Sequence, residues 1–374
     1  MRKQPKFTLG LGIALVITLA ACSAQSGGSG PDTAGSATPS ALSADVPTTE
    51  PSSIPMTEPL KERPEPGKKV IVQYCSAPTC ARFNQGFEDA AKALGWTVET
   101  MVYDTNDMSA SLRSAVVRHP DFIVTSGQPR EALEAGLKDA HKAGIPVFVN
   151  STDIQTDESA GLYAGVNMAP TTERSAEYLA DWMMADSGST ANAVYFYLGD
   201  RPVQQASAAA LKNRFAECAK CSLNLHSISL EEIGRGAVPA SVVAFVQAHP
   251  EVKYVAFSFG DAATGVGAAL ASVGLADRLK LIVDGTTSPA VTQEMVHGTV
   301  SMMLPQAAHY MGWASVNQMA RYAAGLPQPS EEERLMPAWV VETPEAAQTL
   351  IPKGGLWPGP SGFEEQFKKI WHVQ

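Results

Sequence analysis

Short apolar runs alternate with segments of helical periodicity along most of the chain. Apolar runs bounded by Gly and Pro are typical of strands buried on both faces, and apolar residues three or four positions apart indicate helices. The pattern predicts strands at residues 70–74, 98–103, 122–125, 145–149, 162–166, 193–197, 223–228, 254–257, 281–283 and 299–304. It predicts helices at residues 81–94, 109–118, 130–143, 171–184, 203–216, 236–248, 262–273 and 309–324, and a further strand at 338–341 in a Pro-rich tail.

The regular alternation of strand and helix predicts an α/β fold. Strand, helix and strand in succession form a right-handed crossover and therefore a parallel sheet. About ten strands exceed one comfortable doubly wound sheet, so we expect two doubly wound parallel-sheet lobes. Residues 121–149 and 253–283 repeat the same order of strand, small polar turn, helix, Gly and strand. Two similar lobes that face each other would leave a cleft between them.

The stretch 281–306 places two polar side chains at strand ends. Asp284 follows the predicted strand 281–283, and Gln306 follows Pro305 after the strand 299–304. Open α/β sheets bind ligands in the crevice at the carboxyl ends of their strands. We therefore expect both side chains to contact a ligand. The alternative is that Asp284 caps a helix and Gln306 lies on the surface.

The beginning of the chain has the order of a bacterial lipoprotein signal. A basic start (Arg2, Lys3 and Lys6) precedes an apolar run at 7–19 that is too short to span a bilayer comfortably. Leu-Ala-Ala-Cys at 19–22 resembles the lipobox, whose cysteine is lipidated after cleavage. We predict a signal peptide at 1–21 and an extracytoplasmic protein held at the cell membrane by acyl chains on Cys22. The alternative is an ordinary secretory signal with a chance cysteine.

The next segment has the composition of a linker. Residues 23–67 are mostly Ser, Gly, Ala, Thr and Pro, with few large apolar side chains. Such a segment cannot bury enough surface to offset the entropy lost on ordering. We therefore predict that residues 22–67 form a disordered tether between the lipid anchor and the folded domain.

The charge balance argues against nucleic-acid binding. Removal of residues 1–21 takes away three of the 28 Lys and Arg residues and leaves 38 Asp and Glu residues, which changes the net charge from −10 to −13. Proteins that bind nucleic acid need a basic face. The acidic balance is otherwise a statement about solubility.

Four cysteines remain beyond Cys22. An even number in an oxidising compartment suggests two disulfides, and proximity in sequence pairs Cys75 with Cys80 and Cys218 with Cys221. A zinc site would require both pairs to meet in space, whereas the strand order places them in different lobes. Cys218-Ala-Lys-Cys221 lacks the strand-to-helix setting of a redox motif. A Cys75–Cys80 loop could order a ligand-binding segment, or could only staple the domain.

Other motifs carry no chemistry. Gly265-x-Gly267 lacks the third glycine of a dinucleotide fingerprint and falls inside a predicted helix. The histidines show no metal-binding spacing, and no GxSxG motif is present in the sequence. We therefore predict no catalytic residue, no metal and no cofactor.

The motifs together resemble a known family. The lipobox and tether, the segments AGIPVFVNS (143–151), FSFGDAATGVGAA (257–269) and VDGTT (283–287), and Gln306 six residues before Gly312 are similar to a type I periplasmic solute-binding protein. The nearest relatives implied are the ribose and galactose receptors of ABC importers. The resemblance covers nearly all of residues 68–340 in the order of the elements.

The resemblance implies two lobes joined by a three-crossover hinge that closes on a ligand. It places the crossovers near Asn150–Thr152, Pro305–Gln306 and Pro337. One lobe would then comprise residues 68–150 and 306–337, and the other residues 151–305 and 338–374.

Two of the family's sugar contacts match here, as Asp284 and Gln306. Where the family has an adjacent Asp-Arg pair, this chain has Ser151 and Thr152, followed by Asp153. The other family positions depart: an Arg falls near Leu211, an Asn near Phe259 and Gly260, and the stacking aromatic pair near Thr79 and Cys80. The complete set of predicted ligand contacts is Asp284, Gln306, Asn150, Ser151, Asp153, Asp261 and Phe83, and Tyr74 and Phe259 could add aromatic faces.

The function implied is capture of a small solute, a sugar or a sugar-like molecule, by a monomeric receptor that presents it to an ABC permease. One alternative is a ligand-sensing lipoprotein that signals to a sensor kinase. Another is an enzyme on the same scaffold, which would need an activated nucleophile or a metal cluster in the cleft.

Overall fold

Ten strands form two separate five-stranded parallel sheets, as the alternation predicts. The computed structural model describes residues 47–75, 78–104, 106–126, 129–150, 156–166, 168–285 and 287–374. The strands are β1 (Lys69–Tyr74), β2 (Thr97–Val102), β3 (Phe122–Ser126), β4 (Val147–Asn150), β5 (Leu162–Ala164), β6 (Asn192–Leu198), β7 (Ser222–Ile228), β8 (Tyr254–Phe257), β9 (Lys280–Gly285) and β10 (Val300–Pro305).

Helices follow nearly every strand and cover both faces of the sheets. They are α1 (Pro78–Leu94), α2 (Met108–Val116), α3 (Arg130–Lys142), α4 (Met168–Asp186), α5 (Pro202–Ala216), α6 (Leu230–Gly234), α7 (Val238–Ala248), α8 (Gly260–Ala263), α9 (Val266–Ser272), α10 (Pro289–Val296), α11 (Ala308–Ala323), α12 (Pro344–Gln348) and α13 (Phe363–Ile370).

The two sheets share one topology. The first runs β2-β1-β3-β4-β5 and the second β7-β6-β8-β9-β10, so each starts from its second strand and then adds strands in chain order. The two similar segments of the sequence, 121–149 and 253–283, contain the third and fourth strands of the respective sheets. We call the half of the molecule built on the first sheet the first lobe, and the other half the second lobe.

The first passage between the lobes lies later than the resemblance implies. The expected crossover near Asn150–Thr152 and a second lobe beginning at residue 151 both place β5 in the second lobe. In the structure β5 pairs in parallel with β4, from Val147 opposite Leu162 to Val149 opposite Ala164, so β5 completes the first sheet. The chain crosses between β5 and α4. Sequence could not decide this, because a three-residue apolar strand fits either sheet equally well.

The helix predicted at 262–273 is two helices. It breaks at Gly265, which has a φ of +78° and precedes the first turn of α9. Gly267 follows in that turn, and a Cβ on it would lie 2.3 Å from Thr299 Cγ2. The pair of glycines therefore serves a helix break and close packing against the start of β10.

The structure also corrects the extent of the predicted tether. Within residues 47–67, Ile54, Met56 and Leu60 are buried in the main hydrophobic core. The backbone N–H of Leu60 donates to Ile370 O at 2.8 Å. The composition of this segment is polar on average, but its few apolar side chains each fill a gap in the folded body, which an averaged composition does not reveal.

This N-terminal segment contacts both lobes. The backbone N–H of Val340, beside the third crossover, donates to Pro47 O at 2.8 Å. Further along, Glu58 accepts a hydrogen bond of 2.6 Å at Oε2 from Nη2 of Arg321, which is only 2% exposed and lies on α11. Residues 47–60 therefore run from the hinge to the outer helices of the first lobe.

The C-terminal tail crosses between the lobes as well, although residues 338–374 were expected to belong to the second lobe. Val341 forms an antiparallel bridge to Met303 of β10 in place of the strand expected at 338–341. At the other end, Trp371 stacks on Trp313 of α11 at 5.3 Å between ring centroids and donates from Nε1 to Asn317 Oδ1 at 2.8 Å. The tail thus begins on the second lobe and ends on the first.

In the part of the chain that the structure describes, no helix is both long and apolar enough to cross a membrane.

Two glycines set the closest helix contact in the first lobe. Helices α1 and α11 approach so tightly that a Cβ on Gly312 would lie 2.2 Å from Gly86 C and 2.3 Å from Phe87 N. These are backbone atoms, so no side chain can move aside.

We expect Gly312→Ala to lower the free energy of unfolding by about 3 kcal/mol, because the helices must separate to admit a methyl group. Chemical denaturation followed by circular dichroism measures this. The matched control is Gly234→Ala in α6, where no atom lies within 4 Å of the new Cβ. The control should be neutral or slightly stabilising. Equal stability of the two variants would contradict the packing described here.

Candidate ligand-binding site

The carboxyl ends of strands from both sheets line one cavity of about 110 Å³. A single water needs only about 10–15 Å³, so the space suits a small organic molecule. Its wall consists of Cys75, Cys80, Phe83, Tyr103, Ser126, Thr171, Thr172, Ser175, Leu198, Arg201, Val203, Gln204, Leu230, Ser258, Phe259, Asp284, Gly285, Leu304, Pro305, Gln306, Met336, Pro337 and Ala338.

Asp284 lies at the carboxyl end of β9 and is 4% exposed. Its Oδ1 accepts a hydrogen bond of 2.6 Å from the backbone N–H of Gly285. Burial raises the pKa of this carboxyl from 3.8 to about 7, and the Gly285 hydrogen bond offsets only part of that effect. The group can therefore either accept or donate a proton in a hydrogen bond near neutral pH.

The negative charge of Asp284 also affects the pKa of Tyr195. Its hydroxyl is fully buried and forms a hydrogen bond of 2.8 Å with Ser207 Oγ. Its pKa lies well above the usual value, first because of burial and second because of the negative charge of Asp284. A protonated phenol therefore lies near Asp284, outside the cavity wall, and adds no competing charge.

Gln306 follows β10, beside the end of β9. Its backbone N–H donates to Gly285 O at 3.0 Å, which ties the two strand ends together. Gly285 has a φ of +81°, and a Cβ there would lie 3.1 Å from Ser258 O. The close approach of three strand ends therefore brings Asp284 and Gln306 to one cavity wall, as the sequence predicts.

The wall of the first lobe is mostly apolar. The Cys75–Cys80 disulfide, with 5.6 Å between Cα atoms, closes the loop between β1 and α1. Phe83 follows one helical turn later and also lines the cavity, and Phe259 lines it from the second lobe. A ligand in the cavity therefore meets an aromatic ring from each lobe and a disulfide from the first lobe.

The start of α5 supplies a cation that the sequence analysis missed. Arg201 is 8% exposed, lines the cavity and occupies the N-cap position of α5. Leu211, where the resemblance places an Arg, is instead fully buried in the core of the second lobe. The position of Arg201 in the sequence could have predicted this place. This residue lies between a predicted strand and a predicted helix, which is where the carboxyl edge of a parallel sheet is expected.

A third wall comes from α4 and the third crossover. The backbone N–H of Met336 donates to Thr171 Oγ1 at 3.1 Å, which fastens the crossover to α4. Thr171, Thr172 and Ser175 add hydroxyl groups to the cavity. Sequence reasoning missed this wall, since nothing in the pattern places α4 beside a segment some 160 residues away.

Comparison with known proteins assigns the chain to a family. The family model described as a periplasmic binding protein domain matches residues 69–327 of the chain. The chain belongs to this family. No curated protein matches the chain in sequence.

Solved structures of periplasmic binding proteins share the fold. A carbohydrate transporter from Acidothermus cellulolyticus in complex with myo-inositol is 15% identical, with a TM-score of 0.64, and the match covers 78% of this chain and 99% of that one. A solute-binding protein from Burkholderia graminis in complex with D-arabinose is 17% identical, with a TM-score of 0.63 and coverage of 75% and 96%. One from Agrobacterium vitis with bound allitol is 19% identical, with a TM-score of 0.63 and coverage of 77% and 99%. Identities this low establish the fold alone.

Within the family scaffold, Asn150 has a different place from the one predicted. It is 1% exposed and does not line the cavity. Its Nδ2 donates to Ser315 Oγ at 2.9 Å, and its Oδ1 accepts from the backbone N–H of Val166 at 2.8 Å. Asn150 therefore fastens the end of β4 to α11 and to the start of the first crossover. Its short polar side chain at a strand end fits both roles equally well from sequence.

The remaining predicted contacts divide into two groups. Asp261 lies in the first turn of α8 and is not part of the cavity wall. Ser151, Asp153 and the lipidation site Cys22 lie outside the described residues.

The second disulfide is remote from this site. Cys218 and Cys221 are bonded, with 5.3 Å between Cα atoms, in the turn between α5 and β7. The expected pairing of the four cysteines is the pairing in the structure. Over the described ranges, His, Cys, Asp and Glu side chains form no cluster of three or more that could hold a metal ion.

Asp284 makes the stability of the empty protein depend on pH. The folded pKa of about 7 exceeds the value of 3.8 for an exposed carboxyl, so the folded state retains a proton that the unfolded state releases between these values. The contribution of the protonated Asp284 carboxyl to the free energy of unfolding is complete below about pH 4 and is lost as the pH rises to about 7.

Asp284→Asn cannot ionise and should escape this loss. We expect its free energy of unfolding, relative to the original protein, to rise between pH 4 and pH 7.5 by up to about 4 kcal/mol, since each pKa unit corresponds to about 1.4 kcal/mol. Urea unfolding at both pH values measures the difference. The exposed Asp139→Asn on α3 is the control and should show no such trend. A flat difference for Asp284→Asn would mean that the carboxyl is solvated.

Proposed function

We propose that this protein is an extracytoplasmic receptor, anchored to the cell membrane by lipid on Cys22, that captures a small solute and delivers it to an ABC permease. The solute is a sugar or a sugar-like molecule. The observation that supports this most strongly is a cavity whose described wall includes the carboxyl ends of strands from both sheets.

Capture works by closure of the lobes. A ligand in this cavity touches the first lobe at Phe83 and the second at Asp284 and Gln306. Only the closed arrangement provides both sets of contacts at once, so the ligand shifts the population toward it. The closed form then differs in shape from the empty one, which gives a permease a basis for recognising loaded receptor.

The attachment of the tether agrees with this role. The chain between Cys22 and Pro47 links the proposed anchor to the folded body, and Pro47 accepts a backbone hydrogen bond from Val340 beside the third crossover. The anchor therefore enters at the hinge side.

A thermal-shift screen with sugars, polyols, sugar acids, nucleosides and small aromatic acids tests the proposal. A ligand that binds the folded protein raises its melting temperature. At a hundredfold excess over Kd the free energy of unfolding increases by about 2.7 kcal/mol. At least one compound should shift the melting temperature in a saturable way. No shift from any compound, at millimolar concentration, would contradict the proposed function.

For a compound that binds, Gln306→Ala should weaken the affinity about tenfold, because the variant loses a hydrogen bond inside a closed cavity. Isothermal titration calorimetry measures the change. Gln247→Ala, on the exposed face of α7, is the matched control and should bind as the original protein does. Equal affinity of the two variants would remove Gln306 from the site.

A further inference from the structure

We infer that Leu230, the first residue of α6, is a latch between the lobes: it packs across the cleft on the first lobe and sets the fraction of empty protein that is closed. The inference deepens the proposed function and rests on it, because it names a residue that controls the closure by which the receptor captures its solute.

The latch is a contact between side chains of different lobes. Helix α6 follows β7, the edge strand of the second sheet. The side chain of Leu230 packs against a hydrophobic cluster whose buried members all belong to the first lobe, among them Ile71, Cys75 and Tyr103. We call this group the first-lobe cluster. Leu230 lines the cavity, as Cys75 and Tyr103 do, so the contact lies where the two lobes meet around the space for the ligand.

This contact breaks when the cleft opens. Helix α6 is joined at both ends to elements of the second lobe, β7 and α7, so it moves with that lobe. Separation of the lobes then exposes apolar surface of Leu230 and of the first-lobe cluster to water, which is unfavourable roughly in proportion to the area exposed. The contact therefore favours the closed arrangement even when no ligand is bound.

The cap of α6 fixes the position of Leu230. The helix has 5 residues, none of which is buried, so it has no buried face of its own to stabilise it. A capping box holds its first turn instead. Ser229 Oγ accepts a hydrogen bond of 3.2 Å from the backbone N–H of Glu232, and Glu232 Oε2 accepts one of 2.8 Å from the backbone N–H of Ser229. Leu230 directly follows this cap, so its place is set within the second lobe before the lobes close.

A latch of this kind acts on affinity through the closed fraction. The apparent Kd of a ligand equals its intrinsic Kd divided by the fraction of protein already in the binding-competent state. A residue that raises this fraction tightens binding by the same factor for any ligand. A residue that only contacts the ligand leaves the empty protein unchanged, and this difference separates the two roles of a side chain in the cavity wall.

Pulsed electron paramagnetic resonance on the empty, mature protein measures the closed fraction. Spin labels on Val102→Cys of β2 and Leu225→Cys of β7, two exposed positions, report the separation of the lobes. We expect one population at the distance of the structure and another at a longer distance. In Leu230→Ala the ratio of the first population to the second should fall about fivefold, since the contact of a half-buried leucine is lost.

Three further variants assign the effect to the contact. Leu230→Met nearly conserves side-chain volume and should keep the original ratio. Ser229→Ala removes the cap without changing a described residue of the cavity wall, and it should lower the ratio in the same direction as Leu230→Ala. Leu223→Ala on β7 is the matched control. This half-buried leucine packs against a hydrophobic cluster built mainly from the second lobe, so its loss should leave the ratio unchanged.

Calorimetry with a solute found by the thermal-shift screen gives a second readout. Leu230→Ala should weaken binding in proportion to the fall in the closed fraction. Leu223→Ala should bind as the original protein does.

Three results on the empty protein would overturn the inference: no population at the distance of the structure, an unchanged ratio in Leu230→Ala, or an equal fall in Leu223→Ala. Weaker binding by Leu230→Ala with an unchanged ratio would make Leu230 a ligand contact only. An unchanged ratio in Ser229→Ala would overturn the role of the cap. The resonance measurement needs no ligand, so absence of any binding solute contradicts the proposed function while this test still decides on the latch.

Discussion

Burial of parallel strands on both faces is the constraint on which this structure depends. Strands such as β8, all of whose residues are buried, leave no room for polar side chains along their length. Polar groups therefore collect where strands end, and right-handed crossovers bring all carboxyl ends in a sheet to one edge. Ser126, Ser258 and Asp284 are at such ends. Two sheets of the same topology that turn these edges toward each other produce one cavity with polar groups set in an apolar wall.

Among the described residues of the cavity wall, two side chains bear ionisable charge, Arg201 and Asp284. A carboxyl that is buried without a cation has its pKa raised, and Asp284 shows this effect. Arg201, at the start of α5, is the cation among the described residues of the wall. The site is thus polarised between a fixed cation on α5 and a titratable acid on β9. The family resemblance implies a larger set of polar sugar contacts, of which Asp284 and Gln306 are in the described part of the wall.

The periodicity of the sequence predicts the repeating strands and helices, but it does not predict the role of a residue that depends on one contact between distant segments. The strands, their parallel order and the two lobes follow from apolar runs, and the position of Asp284 follows from a strand end. Asn150 and Arg201 have similar positions after strands, yet one fastens α11 and the other lines the cavity, because that choice depends on packing between distant segments. The docking of residues 47–60 on the folded body was not predicted for a related reason. Three apolar side chains suffice to dock a segment when the folded body supplies matching gaps.

The distance between the edge strands β2 and β7 is the most direct test of lobe closure around the shared cavity. Val102 on β2 and Leu225 on β7 are exposed. Spin labels on Val102→Cys and Leu225→Cys report the distance between the lobes by pulsed electron paramagnetic resonance. With a ligand identified by thermal shift, we expect a shorter and narrower distance distribution than in the empty protein. An unchanged distribution at saturating ligand would contradict closure of two lobes around a shared cavity.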